Sequence, residues 1–472
     1  MHRQIYDAFR AAIVDRSLSS GQQIPSSRAL AAELGISRIP ALNAYAQLLA
    51  EGYFEARVGA GTYVSSSLPE QAIRSEHRRA SPARADGGPR RVSRSSLALP
   101  RFQREPWVRI QGAFSVSLPA QDAFPSKVWA NLVARHGRAL ASSLYYGDPM
   151  GLQGLREAVA AYLRTSRAVR CEPQQIMIVS GSQQALDLSA RVLLDAGNPV
   201  WVEEPGYWLA RDVLTAAGCR MVPVPVDRDG LDVSAGIKRC RNARAAFVAP
   251  SHQHPLGVTM SAARRLQLLE WARRAGSWII EDDYDSEYRY ETKPIASLQG
   301  LDSASRVIYI GTFSKVLFPS LRVGYVVIPP DLVERFLAMR HAMDVGPPHL
   351  SQAVLADFIA EGHFSRHLRR MRSLYGERRG ALVESLQREC GSLLQVIGES
   401  AGMHLAVTLA TGMDDREICM RAAREELCLW PLSPAYIGKA AEHGFILGFG
   451  SIAPEEIPGA VRHLRSLVEG VS

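Results

Sequence analysis

A stretch of forty residues, 66–105, divides the chain into two parts of very different size. It is rich in Ser, Pro, Gly, Ala and Arg, contains few bulky apolar residues and shows no periodicity. Such a segment cannot bury enough apolar surface to offset the entropy lost on ordering, so we expect a linker. The chain of 472 residues also exceeds the ~250–300 residues that one hydrophobic core accommodates. The sequence therefore predicts a small domain at residues 1–65, a linker at 66–112 and a large domain at 113–472.

The bulk composition is that of a globular protein, with 47% apolar and 22% charged residues. No run of about 18 uncharged apolar residues occurs, and the first residues contain no apolar signal core. The six cysteines are at least nine residues apart, a spacing that excludes CxxC zinc, redox and haem signatures. These observations predict a cytoplasmic protein with reduced thiols and no membrane partner.

The net charge of +8 is unevenly distributed. With +1 in residues 1–65 and +5 in residues 66–105, only +2 remains for the rest of the chain. A basic surface for a nucleic-acid partner is therefore expected in the N-terminal part. The linker arginines either add non-specific attraction to DNA phosphates or serve only as a soluble tether.

The first 65 residues have the pattern of three helices followed by two short strands. Apolar residues at helical spacing predict a first helix over residues 3–17. A second, short helix follows the capping serine of PSSRALAAELG, and a third, capped by Ser37, begins near Arg38. Two short apolar stretches flank Gly59–Gly61 and predict a β-hairpin. A helix, a glycine-containing turn and a capped helix are typical of a helix-turn-helix, and the hairpin is typical of a wing.

This unit resembles the GntR-type winged helix-turn-helix through IPSSRALAAELGISR and NAYAQLLAEGYFEARVGAGTYV. The resemblance implies binding of double-stranded operator DNA through Arg28, Arg38, Gly59 and Gly61. Arg38, near the start of the third helix, can reach a base edge or a phosphate in the major groove, and a glycine wing can approach the backbone closely. The family usually has small hydroxyl or amide residues after the Ser-Arg pair. This chain has an Ile-Pro pair there, so two potential hydrogen-bonding side chains are lost.

Strand-like apolar runs alternate with amphipathic helical stretches in the large domain. The runs lie at residues 175–180, 199–203, 245–250, 277–282 and 306–311. This alternation predicts an α/β domain with a largely parallel sheet. Polar or glycine-rich clusters follow several of the runs, and open α/β sheets bind ligands at the carboxyl ends of their strands. We therefore expect a small-molecule site.

Three of these clusters carry candidate chemistry. Residues 180–184, SGSQQ, open a helix whose backbone N–H groups could bind a phosphate. Residues 281–285, EDDYD, hold four acids that could bind a metal, although every ligand would come from one short segment; one buried aspartate could instead hold a protonated pyridine nitrogen. Residues 311–315, GTFSK, end in a lysine and are followed by Arg322. Burial beside cations would lower the pKa of that lysine enough for Schiff-base chemistry.

Residues 113–472 resemble the fold-type I aminotransferases, which bind pyridoxal 5′-phosphate. The resemblance is carried by YGDPMG, LREAVAAYL, SGSQQALDL, EEPGYW, PSHQHPLG, EDDYDSEYRY and GTFSKVLFPSLRVGY. Together with its N-terminal unit, the whole chain resembles transcriptional regulators of the MocR/GabR type. The implied fold class is an α+β winged helix-turn-helix domain followed by an α/β fold-type I aminotransferase-like domain, without a metal.

The resemblance also assigns the cofactor-binding residues. It implies that Lys315 forms the Schiff base with pyridoxal phosphate and that Asp282 pairs with the pyridine nitrogen. Tyr284 would hydrogen-bond the ring hydroxyl, and Tyr207 would stack on the ring. The phosphate would be surrounded by Gly181, Ser182, Gln183, Thr312, Ser314 and Arg322. The family further implies a homodimer that exchanges segments between its subunits, with YGDPMG crossing the interface.

Two departures distinguish this chain from the enzymes. His254 and Leu256 replace the asparagine and the hydroxyl residue that aminotransferases place on either side of a proline. No arginine occurs between Arg424 and Arg462, where the enzymes hold the substrate α-carboxylate, so an amino acid would need another cation, such as Arg340 or His254. We therefore predict a transcriptional regulator that senses pyridoxal phosphate, an amino compound or both, with at most residual transamination. The alternatives are an active aminotransferase with an accessory DNA-binding head and a scaffold whose degenerate domain only dimerises.

Overall fold

The computed structural model describes residues 1–57, 59–66, 91–100, 105–109, 111–139, 144–290, 295–398, 400–410 and 413–470. It divides into two compact units, Met1–Arg91 and Val92–Ser472. Residues 67–90 of the predicted linker, together with 101–104 and 110, lie outside the described residues. The rest of that segment contains two short helices, Arg94–Ala98 and Pro106–Arg109, and the buried side chain of Trp107.

In the first unit, three helices accompany a three-stranded antiparallel sheet. The elements are α1 (His2–Val14), β1 (Gln23–Ile24), α2 (Ser27–Glu33), α3 (Arg38–Ala50), β2 (Phe54–Arg57) and β3 (Gly61–Val64). The strands are ordered β1-β3-β2, and β2 pairs with β3 around the predicted glycine turn. The predicted winged helix-turn-helix is confirmed. Strand β1 was not predicted, because two residues are too few to show a period of two.

Local chemistry explains where the helices of this unit begin and end. The Ser26 hydroxyl accepts a hydrogen bond from the backbone N–H of Ala29 at 3.1 Å, which caps α2 as predicted. Gly35 then has a φ of +63°, a left-handed conformation that glycine adopts without strain. Ser37 stands at the N-cap of α3, but its side chain makes no capping hydrogen bond. The predicted role of its hydroxyl as a cap is therefore wrong.

The second unit contains an eight-stranded sheet. Its strands are β4 (Ile176–Val179), β5 (Pro199–Glu204), β6 (Arg220–Asp227), β7 (Gly230–Leu231), β8 (Ala245–Val248), β9 (Trp278–Asp283), β10 (Val307–Thr312) and β11 (Gly324–Val327). They are ordered β4-β11-β10-β9-β8-β5-β6-β7. β5, β6, β8, β9 and β10 pair in parallel, whereas β11 and β7 run against their neighbours. The predicted largely parallel sheet is confirmed, and it includes all five predicted runs.

A second, four-stranded antiparallel sheet follows along the chain. Its strands are β12 (Leu394–Ile397), β13 (His404–Leu409), β14 (Trp430–Pro431) and β15 (Gly444–Gly448), ordered β12-β13-β15-β14. The helices of the second unit are α4 (Arg94–Ala98), α5 (Pro106–Arg109), α6 (Ser126–Arg138), α7 (Gln153–Ser166), α8 (Ser182–Leu193), α9 (Trp208–Ala216), α10 (Val233–Cys240), α11 (Ala262–Ala275), α12 (Leu298–Leu301), α13 (Val333–Asp344), α14 (His349–Ala360), α15 (His363–Cys390), α16 (Asp415–Arg424) and α17 (Ile457–Glu469). Within the described ranges, no helix combines the length and the apolarity needed to cross a membrane.

The central strands are buried along their whole length because both faces of the sheet are covered, and β9 ends in three buried acids. Every residue of β4, β8, β9, β10 and β11 is buried. One hydrophobic cluster includes Met177 and Ile280, and a second includes Ile279 and Val307, so neighbouring residues of a strand pack into different cores. The sheet is thus fixed from both sides, and its strand ends are held at defined positions.

Candidate cofactor site

A cavity of about 300 Å³ lies at the carboxyl ends of the parallel strands of the large sheet. Segments that follow β4, β5, β8, β9 and β10 supply most of its walls, as the sequence predicts for an open α/β sheet. Its lining comprises Val116, Ser117, Leu118, Ser182, Glu203, Tyr207, Trp208, Leu209, Phe247, Ala249, His254, Asp282, Tyr284, Lys315, Pro319 and Trp430. The structure therefore brings together Lys315, Asp282, Tyr284 and Tyr207, which come from three segments that are far apart along the chain.

Lys315 is a half-buried lysine three residues beyond the end of β10. Its Nζ lies 3.4 Å from the carbonyl oxygen of Ser117. The pKa of this lysine is lowered from 10.5 to about 8. Burial is the main cause, the charge of Arg322 acts in the same direction, and the carboxylates of Asp285 and Asp282 oppose the shift. A substantial fraction of the amine is therefore neutral near physiological pH, which is the form that attacks a carbonyl carbon.

Asp282 differs from the other acids of its segment because only its carboxyl group lines the cavity. Glu281 accepts hydrogen bonds from the backbone N–H groups of Leu298 and Gln299, each at 2.9 Å. Asp283 forms a buried ion pair with Arg167 at 2.8 Å. Successive side chains of a strand point to opposite faces, so the four acids do not converge on one ion. The alternative of a metal held by residues 281–285 is thus disfavoured.

The carboxyl group of Asp282 has an unused hydrogen-bonding capacity. Its Oδ1 is buried and has no hydrogen-bond partner among the described residues. Burial and the neighbouring carboxylates of Asp283 and Asp285 raise its pKa to about 7, and Lys315 partly offsets this. A buried acceptor of this kind suits a protonated ring nitrogen, because the cation would supply both the missing donor and the missing charge.

Aromatic and imidazole rings surround the middle of the cavity. The Tyr284 hydroxyl lies 3.0 Å from Nδ1 of His252, which also lies 2.9 Å from Asp285 Oδ2. The Tyr207 ring meets the ring of His254 edge to face, with centroids 5.4 Å apart. The sequence reasoning found no histidine near the acids of residues 281–285, but the fold brings His252 to Asp285 from the segment after β8.

Neither of the two residues considered as substitutes for the missing carboxylate-binding arginine can serve. Burial lowers the pKa of His254 to about 3, helped by His252, Lys315 and Arg211, so its imidazole is neutral. Arg340 is fully buried outside the cavity lining, and it donates hydrogen bonds to Asp344 at 2.6 Å and to the carbonyl oxygen of Ile178 at 3.1 Å. The interpretation of either residue as a free cation for a ligand carboxylate is wrong.

The predicted phosphate-binding residues flank one glycine of the sheet. Gly324 on β11 pairs with Val179 on β4 and with Thr312 on β10. β4 and β10 thus lie on either side of β11. The segments that follow them, including Gly181 and Ser314, therefore start on either side of Gly324. A Cβ on Gly324 would lie 2.8 Å from the Gly311 carbonyl oxygen and 3.0 Å from the Gly181 Cα, so only glycine lets the three strands meet this closely.

Arg322 is held against the turn that precedes α8. Its Nη2 donates a hydrogen bond to the carbonyl oxygen of Ser180 at 2.6 Å. Gly181 has a φ of +96°, and a Cβ there would lie 2.9 Å from the same Nη2. A guanidinium thus sits beside the N-terminus of a 12-residue helix, where an anion is favoured by both groups.

The other members of the predicted phosphate site differ in their surroundings. Ser182 is the first residue of α8, and Thr312 Oγ1 accepts a hydrogen bond from the Ser314 backbone at 3.2 Å. The buried Ser314 hydroxyl has no hydrogen-bond partner among the described residues, so it is available to a ligand oxygen. Gln183 instead donates from its side chain to the Leu209 carbonyl oxygen at 3.2 Å, and its amide is directed to the neighbouring helix.

The predicted DNA contacts lie on the surface of the first unit. Arg28, Arg38, Gly59 and Gly61 are all exposed. Nε of Arg38 lies 3.4 Å from the hydroxyl of Ser27, so the N-terminal ends of α2 and α3 present their arginines close together. The two glycines have φ values of +73° and +106°, which a tight wing turn requires.

Two family models cover most of the chain. Residues 1–64 match bacterial regulatory proteins of the gntR family, and residues 115–427 match aminotransferase class I and II. Over 99% of its length the chain is 41% identical to a probable rhizopine catabolism regulatory protein, MocR, from Rhizobium meliloti, of which 93% is covered. The chain belongs to the GntR-family regulators with an aminotransferase-like domain.

Two further relatives support this assignment and the fold of the large unit. The regulator is 31% identical to the pyridoxine biosynthesis transcriptional regulator PdxR of Corynebacterium glutamicum, over 95% of this chain and 91% of that protein. The α-aminoadipate aminotransferase LysN of Thermus thermophilus, solved with N-(5′-phosphopyridoxyl)-L-leucine, is 29% identical with a TM-score of 0.74. The similarity covers 80% of this chain and 97% of that one. The predicted fold-type I architecture is confirmed.

Sequence reasoning missed several residues that line the cavity of this regulator. Trp208 directly follows Tyr207 in EEPGYW, so its position could have been inferred from that motif. Trp430 reaches the cavity from the small sheet, and Val116–Leu118 come from the segment before α6. No local pattern marks these residues, because only the packing of the small sheet against the large one brings them to the strand ends.

Proposed function

We propose that this regulator binds pyridoxal 5′-phosphate in the cavity and responds to the cofactor, to an amino compound or to both. The observation that carries the proposal is the pair formed by Lys315, whose pKa is about 8, and Asp282, whose buried Oδ1 has no partner among the described residues. When bound, the cofactor supplies an aldehyde that condenses with primary amines. Lys315 would hold it covalently, and Asp282 would keep its ring nitrogen protonated.

The remaining predicted residues fit the other groups of the cofactor. Tyr284 would hydrogen-bond the ring hydroxyl, and Tyr207 would lie against the ring. The phosphate would be held by backbone and side-chain donors of Gly181, Ser182, Gln183, Thr312, Ser314 and Arg322. Among these, the carbonyl-bound guanidinium of Arg322 beside the N-terminus of α8 provides the charge that a phosphate needs.

Reconstitution with the cofactor tests this proposal. The full-length protein is expected to gain a visible absorbance band on addition of pyridoxal phosphate, and Lys315→Ala is expected to lose the band completely while keeping its fold. Lys238→Ala, an exposed lysine at the end of α10, provides the matched control and is expected to retain the band. An unchanged spectrum in Lys315→Ala would assign the cofactor to another amine.

We further propose that the chain acts on DNA as a cytoplasmic homodimer. The head would use Arg28, Arg38, Gly59 and Gly61, and the domain limits would be 1–65 and 113–472, joined by the linker. Support for a dimer comes from the start of the proposed crossing segment, where Leu144, Tyr145 and Tyr146 have exposed fractions of 71%, 86% and 90%. Large apolar side chains this exposed are typical of a surface that a partner covers.

The second candidate function is aminotransfer, which the fold and the Lys315–Asp282 pair favour. Efficient transamination needs the substrate carboxylate to be fixed, since a misplacement of about 1 Å can cost about 100-fold in rate. We expect turnover at least about 100-fold below that of an ordinary aminotransferase. Single-turnover absorbance with a panel of amino acids, followed by chromatography of any keto product, tests this expectation. Repeated turnover at an enzymatic rate would favour the enzyme.

A further inference from the structure

Part of the cavity wall is aromatic. The indole rings of Trp208 and Trp430 are 5.2 Å apart between centroids, at 45° to each other. The imidazole of His254 completes this wall, 5.5 Å from Trp208. Trp430 belongs to β14, and its partner in the sheet is Ile446 of β15, within the stretch that contains no arginine. The small sheet therefore offers an indole face to a ligand.

Few cationic side chains surround this aromatic wall among the described residues, and one of them is already engaged. Among the described residues that line the cavity, Glu203 and Asp282 are acids and Lys315 is the only lysine or arginine. Arg211, which acts electrostatically on His254, donates hydrogen bonds to the carbonyl oxygens of Pro434 at 2.7 Å and Ala435 at 3.2 Å. Its guanidinium is thus bound to the backbone of a turn.

Glu203 supplies no cation to the cavity, and burial raises its pKa to about 8, so its carboxyl group is mostly protonated near neutral pH. Its carboxyl group is almost completely buried and accepts hydrogen bonds from the Gln253 side chain at 3.2 Å and the Ala249 backbone at 3.4 Å. A ligand carboxylate beside the indole rings would lose its water without gaining a cation from the described lining residues other than Lys315. A buried carboxylate without a cation is strongly unfavourable. A cation or a polarised C–H group, by contrast, is attracted to the face of an indole.

We propose that the effector of this regulator is a primary amine with a neutral or cationic body and no carboxylate, which packs against Trp208 and Trp430. This inference rests on the proposed binding of pyridoxal phosphate. The effector's amine would replace the amine of Lys315 on the aldehyde carbon of the cofactor. One carbon–nitrogen double bond forms as the other breaks, and Lys315 leaves as a free amine, so no oxidant or reductant is needed.

Two matched pairs of compounds test the proposal on the full-length, cofactor-loaded protein. Phenethylamine and phenylalanine differ only by a carboxylate, and so do cadaverine and lysine. Titration of the visible absorbance gives a half-saturating concentration for each. We expect each amine to act at a concentration at least about tenfold lower than its amino acid, a difference of ~1.4 kcal/mol. An equal or lower value for both amino acids would overturn the proposal.

The same titration distinguishes failure of this inference from failure of the proposed function. If no visible band forms with pyridoxal phosphate, the proposed function is wrong and this inference with it. If the band forms and the amino acids bind better, only the inference is wrong.

Substitution of Leu209 tests the role of charge in the pocket. Leu209 lines the cavity, and its exposed fraction of 37% leaves room for a longer side chain. Leu209→Arg places a cation beside the aromatic wall and is expected to shift the preference toward the amino acids by about tenfold. Leu209→Gln introduces a polar side chain without a charge. It serves as the control that shows how loss of the leucine by itself changes the preference. Identical preferences in the two variants would contradict the argument from charge.

Substitution of Trp430 tests the aromatic wall itself. Trp430→Phe keeps a ring, whereas Trp430→Leu removes it. Both variants lose the hydrogen bond that the indole nitrogen donates to the Trp107 carbonyl oxygen at 3.2 Å, so the comparison between them cancels that loss. We expect Trp430→Leu to weaken amine binding at least about threefold more than Trp430→Phe. Equal weakening, with the cofactor band intact in both, would show that stacking on Trp430 contributes nothing.

Discussion

The two candidate sites of this regulator lie in opposite surroundings. Arg28 and Arg38 of the head are exposed, and Arg38 contacts the hydroxyl of Ser27. Lys315 is half-buried and Asp282 is buried, with pKa values of about 8 and 7. Exposed cations contribute to the free energy of DNA binding only when they contact phosphates, and salt weakens this contribution. Buried groups have already lost their water in the folded protein, so a small ligand meets them in a reactive state.

The difference between the sites also bears on the proposed dimer. A single head carries only six arginines against five acidic residues, so its net charge of +1 gives little attraction to DNA. The cavity, in contrast, concentrates its ionisable groups within one chain. We therefore expect DNA binding to depend on two heads held by one dimer, and cofactor binding to depend on single buried groups.

The largest expected effect concerns the isolated head. Residues 1–65 alone should bind operator DNA about 100-fold or more weaker than the full-length protein at equal salt, because a tethered second head rebinds at a high effective concentration. The head should also show a strong salt dependence. A fluorescence anisotropy titration of both proteins, at two salt concentrations, measures the difference. Equal affinities would show that the second head contributes nothing.

Arg38→Ala should cost roughly 1–3 kcal/mol of specific DNA binding if the arginine contacts a base. Non-specific DNA should be affected far less, since the contact reads a base edge. Arg79→Ala serves as the comparison: this arginine belongs to the predicted linker and lies outside the described residues, and its loss should cost little and equally for all sequences. A larger loss from Arg79→Ala than from Arg38→Ala in a binding titration would contradict the assignment of the head.

The smallest expected effect is the pH dependence of cofactor capture. Only the neutral amine of Lys315 attacks, so the rate should rise about tenfold per pH unit below pH 8 and level off above it. A lysine with the ordinary pKa of 10.5 would still gain rate well above pH 9. Stopped-flow absorbance of the cofactor-free protein measures the profile. Nα-acetyl-lysine, measured in parallel, accounts for ionisation of the cofactor. A midpoint near that of the free amine would show that burial does not activate Lys315.

Local pattern was sufficient to predict most of the fold. The central strands contain apolar runs because they are covered on both faces, and the second helix of the head begins at a serine that does cap it. The two-residue strand Gln23–Ile24 was missed, and the Ser37 hydroxyl does not cap its helix. The strand exists only through its pairing with β3, which the local sequence does not show.

The candidate site was predictable only where its residues follow strands. Asp282 and Lys315 each stand at or just beyond a strand end, so parallel pairing alone brings them to one edge of the sheet. His252 and Trp430 carry no such mark. His252 reaches Asp285 across 33 positions, and Trp430 arrives with the small sheet, so the surroundings of Lys315 depend on packing that a motif does not encode.

The close approach of Gly181 to Arg322 has a consequence for genetics. A methyl group at position 181 would press on the guanidinium, and the φ of +96° would strain any residue other than glycine. Because the Arg322 side chain is flexible and can move aside, Gly181→Ala should displace its guanidinium without disrupting the hydrophobic core. Such an allele would yield a protein that keeps Lys315 but is expected not to bind the proposed cofactor. In a living cell, its promoter output would reveal what the unliganded regulator does by default.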